Sequence, residues 1–266
     1  MGSRYNLAIV TGGSSGIGNS IIEGLFKVEP DTSVFNLSRR IPATFSYGSK
    51  LRHLECDLAN REQRSKVFDS LERELRQAPA DGQILLVNNA GFGLYGPLDA
   101  NPPAEHLELL EVNICALVEL TTRLLPLIKQ RGGSIMNIAS TSAFQPTPFL
   151  ATYGASKAFV LNWTLALNEE LRGSRANAIT VCPGPTRTEF FLRAGFSKRV
   201  IPAGYSHQPE QVAALALQAL EHGKPYTVTG FLNKAASLFS SLLPLTLRTR
   251  VAGRVISRFR QNPDQK

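Results

Sequence analysis

Apolar residues in this chain of 266 residues come in short runs separated by longer stretches where they recur every three or four positions. The runs at residues 7–10, 33–37, 51–55, 84–87, 134–139 and 178–182 have the length and the β-branched content of strands. Residues 84–87, Ile-Leu-Leu-Val, are apolar without interruption, as a strand covered on both faces must be. Between the runs, the spacing predicts helices. One follows residue 16, with Ile17, Ile21, Ile22 and Leu25 on one face. A charged amphipathic helix covers 61–77. A long helix opens at Pro102-Pro103 and carries Leu107, Leu110, Ile114, Leu117, Leu120 and Leu124. Another runs from about 152 to 172. Regular alternation of strand and helix predicts an α/β architecture: a Rossmann-type doubly wound parallel sheet in three layers. We expect residues 1–230 to form a single domain. Residues 231–266 then form a basic helical extension, two helical patterns split by Pro244, packed on the same domain.

Almost every predicted strand ends in small polar residues: Thr11, Ser38, Asp57, Asn89, Ser140, and then Pro183. In open parallel sheets, ligands bind at the carboxyl ends of the strands, so these six positions converge on one candidate site. The first turn, Thr11-Gly-Gly-Ser-Ser-Gly-Ile-Gly18, joins a strand to a helix start. That arrangement aims backbone N–H groups at a phosphate, and Gly12, Gly16 and Gly18 allow the tight turn and the close approach. After the second strand stands Ser38-Arg39-Arg40, where an acid would hold a ribose 2′-hydroxyl and an arginine accommodates a 2′-phosphate. Absence of the acid predicts NADP(H) in preference to NAD(H). Asp57 either accepts from an adenine amino group or serves the N-terminus of the following helix. Asn88-Asn89-Ala90-Gly91 is a small polar turn on which a ribose could rest. Asn113, inside an apolar helical stretch, must find partners; it is either a structural bridge or part of a proton path.

Tyr153 and Lys157 lie four residues apart and so share a helix face, with Ser140 at the tip of the preceding strand. Together they supply a proton donor, a neighbouring ammonium expected to lower the phenol pKa, and a hydroxyl to hold a carbonyl oxygen. By itself, Tyr-x-x-x-Lys also describes an ordinary surface pair.

Composition narrows the alternatives. With 43% apolar and 19% charged residues the chain describes a globular protein with a large core. Cys56, Cys115 and Cys182 share no metal-ligand spacing and read as reduced core residues of a cytoplasmic protein. No metal is expected. The net charge of +8 is concentrated in the tail: from His222 to Pro263 there is no acid, while Lys224, Lys234, Arg248, Arg250, Arg254, Arg258 and Arg260 all fall there. No nucleic-acid recognition module or aromatic stacking platform accompanies them.

Taken together, the motifs resemble the short-chain dehydrogenase/reductase family in its compact single-domain branch. The resemblance rests on Thr11-Gly12-x-x-x-Gly16-x-Gly18, Asp57, Asn88-Asn89-Ala90-Gly91, Asn113, Ser140, Tyr153-x-x-x-Lys157 and Pro183-Gly184 with Thr188, over roughly residues 5–190. It implies hydride transfer between NADP(H) and a carbonyl–alcohol pair. Tyr153 would be the proton donor, Ser140 would orient the carbonyl, and Lys157 would bind the nicotinamide ribose. Asn113 would hold a water that relays protons through Lys157. The cofactor would contact Gly12, Ser14, Ser15, Gly16, Ile17 and Gly18 of the first loop, Ser38 and Arg39, Asp57 and Leu58. It would also contact Asn89, Ala90 and Gly91, Tyr153 and Lys157, and Pro183, Gly184, Thr186 and Thr188.

Aromatic and apolar residues dominate the later loops, 92–98, 144–149 and 189–196. They point to an apolar carbonyl or alcohol substrate of acyl, steroid- or terpenoid-like, or aromatic type, or else to a lid packed on its own core. The family also implies a homodimer or homotetramer. In the tail, Leu247, Val251, Val255 and Phe259 recur every fourth residue with Arg250, Arg254 and Arg258 alongside. Packing on the domain or on a subunit is the favoured reading, with contact at a membrane surface as the other. The alternative function is an NADP(H)-sensing or scaffold protein that keeps the fold and binds through its basic tail.

Overall fold

The computed structural model describes residues 4–42, 48–79, 82–196 and 206–257. Seven strands form one sheet, every neighbouring pair parallel: β1 (Tyr5–Thr11), β2 (Ser33–Ser38), β3 (Leu51–Glu55), β4 (Gln83–Asn88), β5 (Gly133–Ile138), β6 (Ala176–Cys182) and β7 (Tyr226–Val228). Their spatial order is β3-β2-β1-β4-β5-β6-β7. The chain builds outward from β1 to β3, then returns to the other side of β1 for β4. The sheet therefore has its switch point between β1 and β4, where a crevice opens above the strand ends.

Successive side chains of the strands feed two separate cores. Ile9, Leu37, Ile84, Leu86 and Ile135 pack under α2 (Arg61–Gln77), α4 (Ala116–Arg131) and α5 (Ala151–Glu170), with Phe68, Leu71, Leu120, Leu124 and Leu167 facing them. Ala8, Val10, Leu85, Val87 and Val181 pack on the other face under α1 (Gly16–Val28) and α7 (Pro209–Glu221), through Ile21, Ile22, Leu25, Ala213, Ala216 and Leu220. The expected three-layer sandwich is present.

One predicted helix is not continuous. The stretch opening at Pro103 is α3 (Pro103–Leu110), then a π-helical turn at Glu111–Cys115, then α4. The wider turn carries Asn113, and such insertions recur at functional sites. Beyond β6 come a short helix, α6 (Phe190–Arg193), and α7, which Pro209 at its first turn and the reciprocal capping of Gln208 and Gln211 begin.

After β7 the two tail patterns form α8 (Phe231–Leu242) and α9 (Leu245–Ser257), with Pro244 between them. The α9 helix rests on the domain through Ala252, which is buried, and Gly253, whose Cα faces Pro148. Arg248 donates to the Phe144 carbonyl at 3.0 Å. The predicted stripe Leu247, Val251, Val255 nonetheless remains more than two-fifths exposed, and Ile256 packs on the domain in its place. Arg258, Phe259 and Arg260 lie outside the described residues.

Candidate active site

Above the carboxyl ends of β1, β4, β5 and β6 lies a cleft of about 990 Å³. One wing is built from backbone. Gly12 (φ +69°) and Gly16 (φ +58°) hold the first loop in left-handed conformations. A side chain at Gly12 would meet the Ala90 Cα at 2.9 Å, and one at Gly16 would meet Thr188 at 3.0 Å. The loop is thus pressed between the turns that follow β4 and β6, and only glycine fits. Thr11 fixes the switch point: its Oγ1 accepts from the N–H groups of Asn89 and Ala90, both at 3.1 Å. The Asn89 amide donates back to the carbonyls of Thr11 and Gly12 at 3.0 and 3.1 Å. Asn36, buried in β2, accepts from Gly13 N at 2.9 Å and donates to Ser38 Oγ at 2.7 Å. No sequence pattern had pointed to it.

This wing suits a dinucleotide. The Ser15 side chain does not cap α1, so the first-turn N–H groups are directed at the cleft without a protein acceptor from that cap. Ser14, Ser15, Gly16, Ile17, Ser38, Arg39, Asp57, Leu58, Asn89, Ala90 and Gly91 line this wing, as do Pro183, Gly184, Thr186 and Thr188. Asp57 Oδ1 accepts from Ala59 N at 3.1 Å, while Asn60, not Asp57, caps α2. Arg40 also lines the cleft and reaches across it to Glu189, 3.5 Å away, which in turn pairs with Arg193.

Two of the predicted site residues lie outside the cleft lining. Gly18 stands behind the loop, where a side chain would strike the Asn89 amide and the Gly12 carbonyl; its role is close packing. The Asn113 amide is engaged on three sides: it donates to Phe92 O and Ser156 Oγ, each at 3.0 Å, and accepts from Phe92 N at 3.1 Å. These bonds make Asn113 a bridge between the turn after β4 and α5. Ser156, whose hydroxyl also donates to Tyr153 O at 2.7 Å, was missed beside the more conspicuous Lys157.

At the floor, α5 presents Tyr153 and Lys157, both buried, beside Ser140 at the end of β5. Lys157 Nζ donates to the Ile138 carbonyl at 2.8 Å and lies 5.9 Å from the centre of the Tyr153 ring. Burial pushes the Tyr153 phenol up to about 12, against an opposing hydrogen bond with Ser140. Burial likewise pushes the Lys157 amine down to about 8. The expectation of a lowered phenol pKa is therefore not met. In this site, desolvation of the phenolate outweighs the opposing hydrogen bond with Ser140. Gly91 is closed in by Asn113 and Lys157, since a side chain there would lie 3.1 Å from Asn113 Oδ1 and 3.2 Å from Lys157 Nζ.

The second wing is aromatic. Tyr153, Phe190, Phe191, Phe196 and Tyr95 form a continuous chain of ring contacts, with centroids from 4.0 to 5.4 Å apart. Gly93 lets Phe190 in; a side chain there would meet the ring at 2.8 Å. Phe149, at φ +66°, holds a left-handed backbone unusual for its bulk, and its carbonyl accepts from Gly96 N at 2.9 Å. Val255 and Ile256 of α9 complete the wall, and the Tyr95 hydroxyl donates to Ile256 O at 3.0 Å. The aromatic loops thus pack on one another and line the cleft at once. The tail's part in that wall carried no signal in the sequence. Among the described residues no group of acidic, histidine or cysteine side chains could hold a metal ion.

A doubly wound sheet with a glycine-loop crevice and a Ser-Tyr-Lys floor defines the class of dinucleotide-fold proteins. Comparison with known proteins narrows it. The family model for short chain dehydrogenase matches residues 6–195. A ketoacyl reductase, HetN, from Nostoc sp. is 33% identical over 182 residues, covering 66% of this chain and 62% of the relative. The chain thus spans about three-fifths of the length of that relative. A crystal structure of a short chain dehydrogenase from Burkholderia cenocepacia in complex with NADP is 27% identical, with a TM-score of 0.77 over 94% of this chain and 99% of that one. A second, from Burkholderia phymatum in complex with NAD, is 19% identical at a TM-score of 0.74 over 90% and 93%, a likeness of fold. The chain belongs to the short-chain dehydrogenase/reductase family.

Proposed function

We propose that this protein is an NADP(H)-dependent oxidoreductase that interconverts a ketone or aldehyde and its alcohol on a mainly apolar substrate. The observation that carries the proposal is the position of Tyr153, at the junction of the backbone-built wing and the aromatic wing, with Ser140 and Lys157 beside it. When bound, the nicotinamide supplies or accepts the hydride. The chain's part is to hold the carbonyl and handle the proton. With its pKa near 12, the phenol is protonated at neutral pH and donates to the carbonyl oxygen as the hydride arrives at carbon. The Ser140 hydroxyl holds the same oxygen. Lys157, near 8, is mostly an ammonium at pH 7 and steadies negative charge on that side of the floor.

Arg39 and Arg40, with no acid at the end of β2, support NADP(H) over NAD(H), since a 2′-phosphate needs a cation and a free ribose hydroxyl an acceptor. Phe190, Phe191, Phe196, Leu150 and Ile256 support an apolar substrate. The test is consumption of NADPH and NADH by the purified protein against 3-oxoacyl thioesters, steroid ketones and aromatic diketones. Tyr153→Phe should lose at least ~100-fold in turnover while its affinity for the dinucleotide is unchanged. Unchanged turnover in Tyr153→Phe would remove the proton-donor role. Faster use of NADH would remove the arginine argument.

A further inference from the structure

The α8 helix faces the wrong way for a helix of a water-soluble domain. Phe231, Leu232, Leu238, Phe239 and Leu242 recur at the spacing of a single helical face, and that face points outward: these five side chains are 56–84% exposed. The side turned to the domain is polar. Asn233 donates to Thr229 O at 2.9 Å, and Ser240, buried, donates to Gln145 Oε1 at 2.5 Å. Past the helix end, Leu243, Leu245, Leu247 and Val251 are also exposed, each at least 39%. Scattered exposed apolar residues are ordinary, but a contiguous patch rimmed by polar groups marks a surface that something covers.

Charge identifies what covers it. Lys234, Arg250 and Arg254 flank the patch and are exposed. Along the sequence, residues 222–263 contain seven cations and no acid. A second copy meeting this surface face to face would bring its own cations against these. An anionic lipid surface supplies both requirements, acyl chains for Phe231, Phe239 and Leu242 and phosphates for the cations. No helix among the described residues is long and apolar enough to cross a bilayer, whereas a helix with one apolar face flanked by cations suits the plane of the interface.

We infer that α8, with the turn and the outer face of α9 that follow it, docks flat on an anionic lipid bilayer. The inference stands on this surface alone and does not depend on the reaction proposed above. The sequence favoured packing for the tail and placed its membrane alternative on the stripe of α9; the structure moves the docking face to α8.

The test is co-sedimentation of the full-length protein with large unilamellar vesicles of phosphatidylcholine, or of phosphatidylcholine mixed with phosphatidylglycerol. Binding to the mixed vesicles, weakened by salt and at least tenfold weaker to phosphatidylcholine alone, is expected. Arg250→Gln and Arg254→Gln should each weaken it roughly fivefold. The triple variant Phe231→Ser/Phe239→Ser/Leu242→Ser, whose changes are all on exposed side chains, should keep its circular dichroism spectrum and lose vesicle binding. Equal binding to both vesicle types, full binding by the triple variant, or no binding would each overturn the proposal. So would a concentration-dependent dimer in light scattering that the triple variant abolishes while vesicles capture neither protein.

Discussion

The two wings of the cleft achieve the same end, a shaped surface above a parallel sheet, with opposite materials. The dinucleotide wing is backbone: glycines at φ +69° and +58°, N–H groups of a helix start, and short polar side chains that hold loops to loops. The substrate wing is side chain: five aromatic rings in sequence and a wall lent by α9 from more than a hundred residues downstream of Tyr95. Backbone geometry tolerates almost no substitution and leaves a motif in the sequence. Ring packing tolerates exchange among apolar residues of similar volume and leaves only a composition. The difference predicts that the wings respond to mutation on different scales and in different observables.

The largest effect is expected at the backbone wing. Gly12→Val forces a β-branched residue into a left-handed conformation and drives it onto Ala90. It should abolish dinucleotide binding, followed by fluorescence titration, and cost about 1–3 kcal/mol in denaturant unfolding. Next comes the floor, through pH. In the proposed reaction, reduction draws on a protonated Tyr153 and a charged Lys157, so its rate should hold up to about pH 8 and fall above it as the ammonium is lost. Oxidation of the alcohol needs the phenolate and should climb about tenfold per pH unit through the neutral range. A reduction rate that is flat from pH 7 to pH 10 would show that the charge on Lys157 is immaterial. Smaller again, Arg39→Ala should raise the KM for NADPH about tenfold, the loss of a charge-assisted contact, and leave that for NADH almost unchanged. The smallest effect belongs to the aromatic wing. Ile256→Ala should shift substrate KM by about threefold to tenfold and leave dinucleotide affinity alone. If it moves both together, the two wings are not separable.

How much of this was legible varies with the physical origin of each feature. The sheet was readable because residues such as Ile84 to Val87, covered on both faces, leave unbroken apolar runs. The residues of the floor were readable because their order and spacing are set by one strand end and one helix turn. Beyond Asn36, Ser156 and the tail's part in the cleft wall, three features were not readable. The phenol pKa depends on burial from every side, and no local pattern reports that. The π-helical turn at Glu111–Cys115 leaves the composition of a helix intact and changes only its phase. For α8, periodicity gave a helical pattern but not which of its sides faces outward. Direction is set by partners such as Gln145, 95 residues away from Ser240. Periodicity is a local property, and orientation is not.

The π-helical turn has a further consequence, best put as timing along a screw. An α-helix advances about 100° per residue, and one extra residue in a turn delays everything after it by that amount. Upstream of the turn, Leu109 is set against the substrate cluster; downstream, Leu120, Leu124 and Ile128 are set against the sheet. Were the segment an unbroken α-helix, these two sets could not both meet their partners, because either the cleft wall or the core would be rotated away. Deleting one residue between Glu111 and Cys115 would therefore act like a slipped gear tooth, leaving each half intact and the two no longer in step.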